Sequence, residues 1–147
     1  MDRIRTPLIA LSLIAIVGGA IDASAKKNDK KPALDGYCPV AYKFGHAVKG
    51  TPEFTSDYGG KTYQFPAAEA KQAFDKDPKT YADAVAYDGW CATAVAYGKR
   101  VAADPTVFEV YQNRTFRFAS QQAKDAFDQH RDDLIAKADA NWPRLSH

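Results

Sequence analysis

The stretches KTYQF (Lys61–Phe65) and AKQAFD (Ala70–Asp75) recur as RTFRF (Arg114–Phe118) and AKDAFD (Ala123–Asp128). The offset is 53 residues, 127 less 74, and it carries over unchanged toward the N-terminus. Asp35-Gly36-Tyr37-Cys38 falls on Asp88-Gly89-Trp90-Cys91, Gly45 on Gly98, Val48 on Val101, Pro52 on Pro105 and Tyr58 on Tyr111. A register that holds without a gap across roughly fifty residues marks an internal repeat, so every later residue is weighed as a position in two copies.

Periodicity gives each copy the same expected shape. Phe54 to Tyr58 alternates apolar and polar residues, Gly59-Gly60 supplies a tight turn, and Lys61 to Phe65 alternates again, which is a hairpin pattern. The second copy uses Val107 to Tyr111, Gln112-Asn113 and Arg114 to Phe118. An alanine-rich helix is expected after each hairpin, opened by Pro66 in copy one and capped by Ser120 in copy two. Ala70, Ala73 and Phe74 share one face of the first helix, as do Ala123, Ala126 and Phe127 in the second. Asp77-Pro78 breaks the first and starts a short helix through Tyr81. The second is expected to run on through Leu134, Ile135 and Ala138 until Trp142-Pro143 ends it. The fold class is α+β: two tandem ββα units, about residues 34–86 and 87–139. Since one such unit buries little apolar surface alone, the two are expected to share one core about a pseudo-two-fold axis.

The N-terminus predicts export. Arg3 and Arg5 precede the apolar run Leu8 to Ala20, and Ala23-Ser24-Ala25 places small residues where a signal peptidase reads them. The run falls short of the about 20 residues that span a bilayer, so residues 1–25 read as a signal peptide cleaved after Ala25, with no stable membrane insertion afterwards. The expected location is periplasmic or secreted. The formal charge of +2 is concentrated in Lys26, Lys27, Lys30 and Lys31. Residues 26–33 read as a flexible basic linker before a single domain over 34–147, and the body without this tail is nearly neutral. No basic face recurs, so nucleic acid is not an expected partner.

Gly36-Tyr37-Cys38-Pro39-Val40-Ala41-Tyr42, Val48 to Phe54, Gly89-Trp90-Cys91-Ala92-Thr93-Ala94-Val95 and the closing Ile135 to Pro143 together resemble the exported, duplicated members of the YHS-domain family. The resemblance covers nearly the whole chain after the signal. It implies a small α+β module related to treble-clef-like metal-binding domains and found near copper and other heavy-metal handling systems. Metal-binding members place further cysteines after the second hairpin strand and in the first helical turn. This chain has Pro66 and Glu69, and Ala119 and Gln122, at or near those positions.

Cys38 and Cys91 are the only sulfhydryl pair, and in an oxidising compartment three states compete. A disulfide between the copies would close a loop of about 54 residues, a constraint valued near 4 kcal/mol. Two converging thiolates would suit a soft ion such as Cu(I), making copper the one cofactor suggested. Two buried, inert thiols are the third state. His46 follows a loop glycine with Cys38 in possible reach, and it is the weakest metal candidate; His130 and His147 read as surface and terminal residues. Asp132 and Asp133 are adjacent on a helix and diverge, so they form no acid–base pair. No catalytic motif emerges, and the expectation is a non-enzymatic module. Tyr58, Tyr63, Tyr111 and Phe116 read as core or sheet-face residues. A cleft between the copies lined by Tyr37, Tyr42, Trp90 and Tyr97 is the candidate small-ligand site.

Overall fold

The computed structural model describes residues 30–147. The expected signal peptide and residues 26–29 of the expected linker lie outside the described residues. Ala33 already belongs to the first ordered turn, and Lys31 pairs with Asp35 at 2.5 Å, so the fold begins slightly before residue 34.

The chain is α+β, with two two-stranded antiparallel sheets and six α-helices among the described residues. After a turn over Ala33–Gly36 come α1 (Pro39–Lys43), β1 (Thr51–Tyr58), β2 (Lys61–Phe65), α2 (Ala68–Lys76) and α3 (Pro78–Ala82). A turn over Ala86–Gly89 then leads to α4 (Ala92–Ala96), β3 (Asp104–Tyr111), β4 (Arg114–Phe118), α5 (Gln121–Gln129) and α6 (Arg131–Leu145). Apart from the lengths of α3 and α6, the bounds of the second series are those of the first moved by 53 residues.

The hairpins follow from their turns. Gly59-Gly60 and Gln112-Asn113 all have positive φ, as a two-residue hairpin turn matched to strand twist requires. Both first strands start earlier than their alternating pattern, at Thr51 and Asp104, because a bulge precedes Thr55 and Phe108 and breaks the alternation.

The turn before each cysteine was not foreseen. Leu34, Asp35 and Gly36, and Tyr87, Asp88 and Gly89, are left-handed in succession, with φ from 52° to 83°. Each such non-glycine residue costs about 1–3 kcal/mol, so the surroundings must impose the conformation. Leu34 and Tyr87 are buried, and their carbonyls accept from the amides of Tyr37 and Trp90 at 3.0 and 2.9 Å. A side chain on Gly36 would meet Gln64 Oε1 at 2.8 Å, and one on Gly89 would meet Arg117 Nη1 at 2.5 Å.

Three local expectations are corrected. Pro66 does not open α2, which begins at Ala68 behind an N-cap, Ala67, that offers no side-chain bond. The second half does not carry one long helix: the chain breaks at His130 (φ −136°, ψ 37°), the counterpart of Asp77, before α6 begins. Trp142-Pro143 does not end α6, which continues to Leu145. In the last turn a proline removes one backbone bond only, and tertiary contacts outweigh the loss. Asn141 Nδ2 donates to the carbonyls of Val95 and Ala96 at 3.1 and 3.0 Å, and Arg100 Nη1 donates to that of Leu145 at 2.9 Å.

The buried apolar residues form two clusters rather than the single shared core expected. Cys38, Tyr42, Tyr63, Phe65, Phe74 and Val85 belong to the first; Tyr87, Cys91, Val95, Phe116, Phe118, Phe127 and Leu134 belong to the second. Each hairpin is covered by its own helices, and α6 closes the second cluster by lying against α4. Ala123 and Phe127 of α5 pack there as expected, whereas Ala126 is exposed. Tyr42 and Arg117 are among the residues that join the halves. Tyr42 Oη donates to the Pro105 carbonyl at 2.6 Å and its ring meets Phe108 edge-on at 5.0 Å, while Arg117, 1% exposed, bonds Asp35 at 2.7 Å. No described helix is long and apolar enough to cross a membrane.

Candidate functional site

The two cysteines are buried separately. Cys38 is wholly enclosed in the first cluster and Cys91 is 1% exposed in the second, and both are free thiols, so the inter-copy disulfide is not formed in this structure. One shared core would bring the equivalent cysteines together near an axis, whereas each thiol is packed in its own cluster. Cys38 precedes α1 and its Sγ accepts the Ala41 amide at 3.4 Å. Burial pushes the Cys38 thiol up, against the lowering effect of the Ala41 and Val40 amides, and disfavours the thiolate that a metal or an electrophile would need. His46 is exposed, whereas Cys38 is enclosed. Among the described residues no three His, Cys, Asp or Glu side chains converge in a group able to hold a metal ion.

The four aromatics expected to line one cleft are dispersed. Tyr42 is fully buried, with Tyr37 stacked at 6.3 Å; Trp90 borders the space near Leu34, under the guanidinium of Arg100 at 4.9 Å; Tyr97 is 68% exposed. Tyr42 is enclosed because its hydroxyl finds the Pro105 carbonyl across the junction.

A different concavity lies where the halves meet, a cleft of about 520 Å³. The β1–β2 hairpin contributes Tyr58, Lys61 and Tyr63 to one wall, while Tyr87, Arg114, Asp139 and Trp142 of the second half form the other. Lys61 pairs with Asp88 across it. Arg114 holds Asp139 in a two-pronged contact at 3.0 and 2.8 Å, Tyr87 Oη donates to the same carboxylate at 2.8 Å, and the Arg114 guanidinium lies 5.5 Å over the Tyr87 ring. Trp142 meets Tyr87 edge-on at 5.8 Å.

The electrostatics of this wall follow from those contacts. Hydrogen bonding from Arg114 holds the Asp139 carboxyl below the usual range despite partial burial. Burial, reinforced by Asp139, raises the Tyr87 phenol well above its ordinary value, and burial pushes Tyr63 up to about 12. At neutral pH the cleft therefore presents the neutral phenols of Tyr63 and Tyr87 beside the ion pairs Lys61–Asp88 and Arg114–Asp139, with the Asp83 carboxylate also in its lining. Such a surface can hold a ligand through aromatic faces and hydrogen bonds.

Sequence reasoning assigned Tyr63 and Phe116 to packing, and both are buried, at 5% and 0%. It missed that Tyr63, with Tyr58, also faces the cleft. The signal that pointed there was asymmetry between the copies: Ala86 where the second half has Asp139, and Leu34 where it has Tyr87.

Compared with known proteins, the chain matches no protein-family profile, no curated protein and no solved structure.

Proposed function

We propose that this chain is an exported, non-enzymatic binding or accessory module, built from two YHS-like ββα units related by a pseudo-two-fold, whose ligand occupies the cleft between the halves. The observation that carries it is the cleft itself. Its volume of about 520 Å³ falls in the range of small-molecule sites, and its walls come from both halves with aromatic rings and fixed polar groups. The repeated element bounds and the sequence resemblance support the duplicated YHS-like description, and the N-terminal pattern supports export. A soft-metal role through Cys38 and Cys91 is the second reading from the sequence; it would require both thiols to leave their separate clusters, and we give it second place for that reason.

A fragment screen followed by amide NMR tests the proposal. Saturable binders that shift Tyr58, Tyr87, Asp139 and Trp142 together, and lose affinity about tenfold or more in Trp142→Ala, support it. Hits scattered over the surface, or none at millimolar concentration, contradict it. If one equivalent of Cu(I) instead protects both thiols of the native protein from alkylation, the metal reading displaces it.

A further inference from the structure

The outer edges of the two hairpins differ. In the second half Thr115 turns its amide away from β3 and donates to the Ala84 carbonyl at 2.7 Å, and Val85 bridges Thr115 in parallel. The chain's own segment thus lies on the β4 edge through an isolated parallel bridge. Thr62 is the register twin of Thr115: it stands opposite Asp57 as Thr115 stands opposite Val110, both two residues inside a two-residue turn. Residues at such positions direct N–H and C=O away from the partner strand, so the Thr62 amide also faces outward. Among the described residues nothing bonds it there. A cavity of about 280 Å³ lies against that edge instead, between the chain at Lys30 and Lys31 and the strand at Thr62, with Trp90 at its border.

We propose that this edge of β2 is a docking site for an extended peptide segment of a partner protein, added as a strand at the edge whose β4 counterpart the segment around Ala84 covers. Exposed strand edges are templates for such pairing, with backbone bonds supplying affinity and side-chain contacts supplying selectivity. Charge selects the chemistry of the occupant. Lys30, Lys31 and Lys61 border the cavity; Asp35 pairs with Lys31 and Asp88 with Lys61, so the three lysines keep a net positive charge over those two carboxylates and an acidic segment is favoured. The molecule's own filler reaches the β4 edge through Ala84 and Val85, immediately after Asp83, which closes α3 and pairs with Lys79. The inference rests on the reading of the chain as a binding module and adds a ligand class at a site bordering the main cleft, with which it shares Lys61, Tyr63 and Asp88.

The test is a titration of the full-length mature protein, labelled with nitrogen-15, with an acetylated, amidated peptide of the sequence Tyr-Ala-Asp-Ala-Val-Ala. Saturable shifts centred on Thr62 and Gln64, with Thr115 unmoved, are expected, together with at least a tenfold loss of affinity when the peptide's Asp is replaced by Lys. Thr62→Pro removes the donor at an edge where proline is tolerated. It should abolish the response while leaving the melting temperature nearly unchanged. No shift up to millimolar peptide, or equal binding by Thr62→Pro, overturns the proposal. Shifts at Thr62 that follow protein concentration without peptide overturn it in favour of a second copy. If cleft fragments still bind Tyr87 and Trp142 while the peptide does not, the strand-docking inference fails alone; if neither binds, the binding-module reading fails with it.

Discussion

The halves use one order of elements, yet the second is the more heavily tied. At the bulged strand, Ser56 of the first half hydrogen-bonds Asp75 at 2.5 Å, and Lys71 reaches the same carboxylate. The counterparts in the second half are Glu109, Asp128 and Lys124, joined by Arg131 to form a four-residue network with Arg131 at 2.6 Å from Glu109. Gln64 in the first half becomes the buried Arg117 in the second, bonded across the junction to Asp35. The five residues of α3 become the fifteen of α6, which bring Asp139 and Trp142 to the cleft. The lesson is that a common backbone plan leaves side chains free to divide the work. The second half supplies rigidity and one wall of the cleft, and the first keeps an open strand edge.

The comparison can be broken first at the two cores. Phe74 and Phe127 are equivalent and almost fully buried, and alanine at either should cost about 3–5 kcal/mol. Because they belong to different clusters, the double variant should lose the sum of the two within about 0.5 kcal/mol, measured by denaturant unfolding. A strong departure from additivity would mean one energetically continuous core. Next in size is Arg117→Ala. It removes the buried partner of Asp35 and a guanidinium 5.8 Å from the Tyr42 ring, at an expected cost of about 3 kcal/mol. Gln64→Ala, its half-exposed counterpart, should stay within about 0.5 kcal/mol of wild type.

Acid should act through the second half's network. Hydrogen bonding with Glu109 first, then with Lys124 and Arg131, lowers Asp128 from an ordinary 3.8 to about 2, against a smaller opposing effect of burial. Burial raises Glu109 in the same cluster, so Glu109 takes up its proton first as the pH falls. A depressed carboxylate contributes stability that is present above about pH 4 and lost on descent toward pH 2. Thermal melts should therefore show Asp128→Asn well below wild type at pH 6, with the gap closing toward pH 2. The smallest effect concerns a cap. Ser120 Oγ accepts the Ala123 amide at 3.2 Å, whereas Ala67 at the equivalent place offers nothing. Ser120→Ala should cost about 1 kcal/mol and Ala67→Ser should gain up to that amount, read as shifts in denaturation midpoint.

The hairpins and their turns were legible in the sequence because alternation and turn chemistry are local. Ser120 as a cap was legible for the same reason. The left-handed turns before Cys38 and Cys91 were not, since Leu34 and Tyr87 adopt that conformation against their own preference under tertiary burial. The division into two clusters was hidden too: the letters give apolar positions, and only the path of α6 over α4 decides which of them meet. The cleft residues Tyr58 and Tyr63 looked like packing alone because a strand residue at a junction can serve both a core and a surface. Lys61 and Asp88 are 27 residues apart, 88 less 61, and nothing local in the letters pairs them; the fold does.

The most direct measurement is amide hydrogen exchange at Thr62 and Thr115 in the unliganded protein. An open first edge and a closed second one predict that Thr115 exchanges at least a hundredfold more slowly than Thr62. Equal protection at the two threonines would contradict the division of roles between the halves.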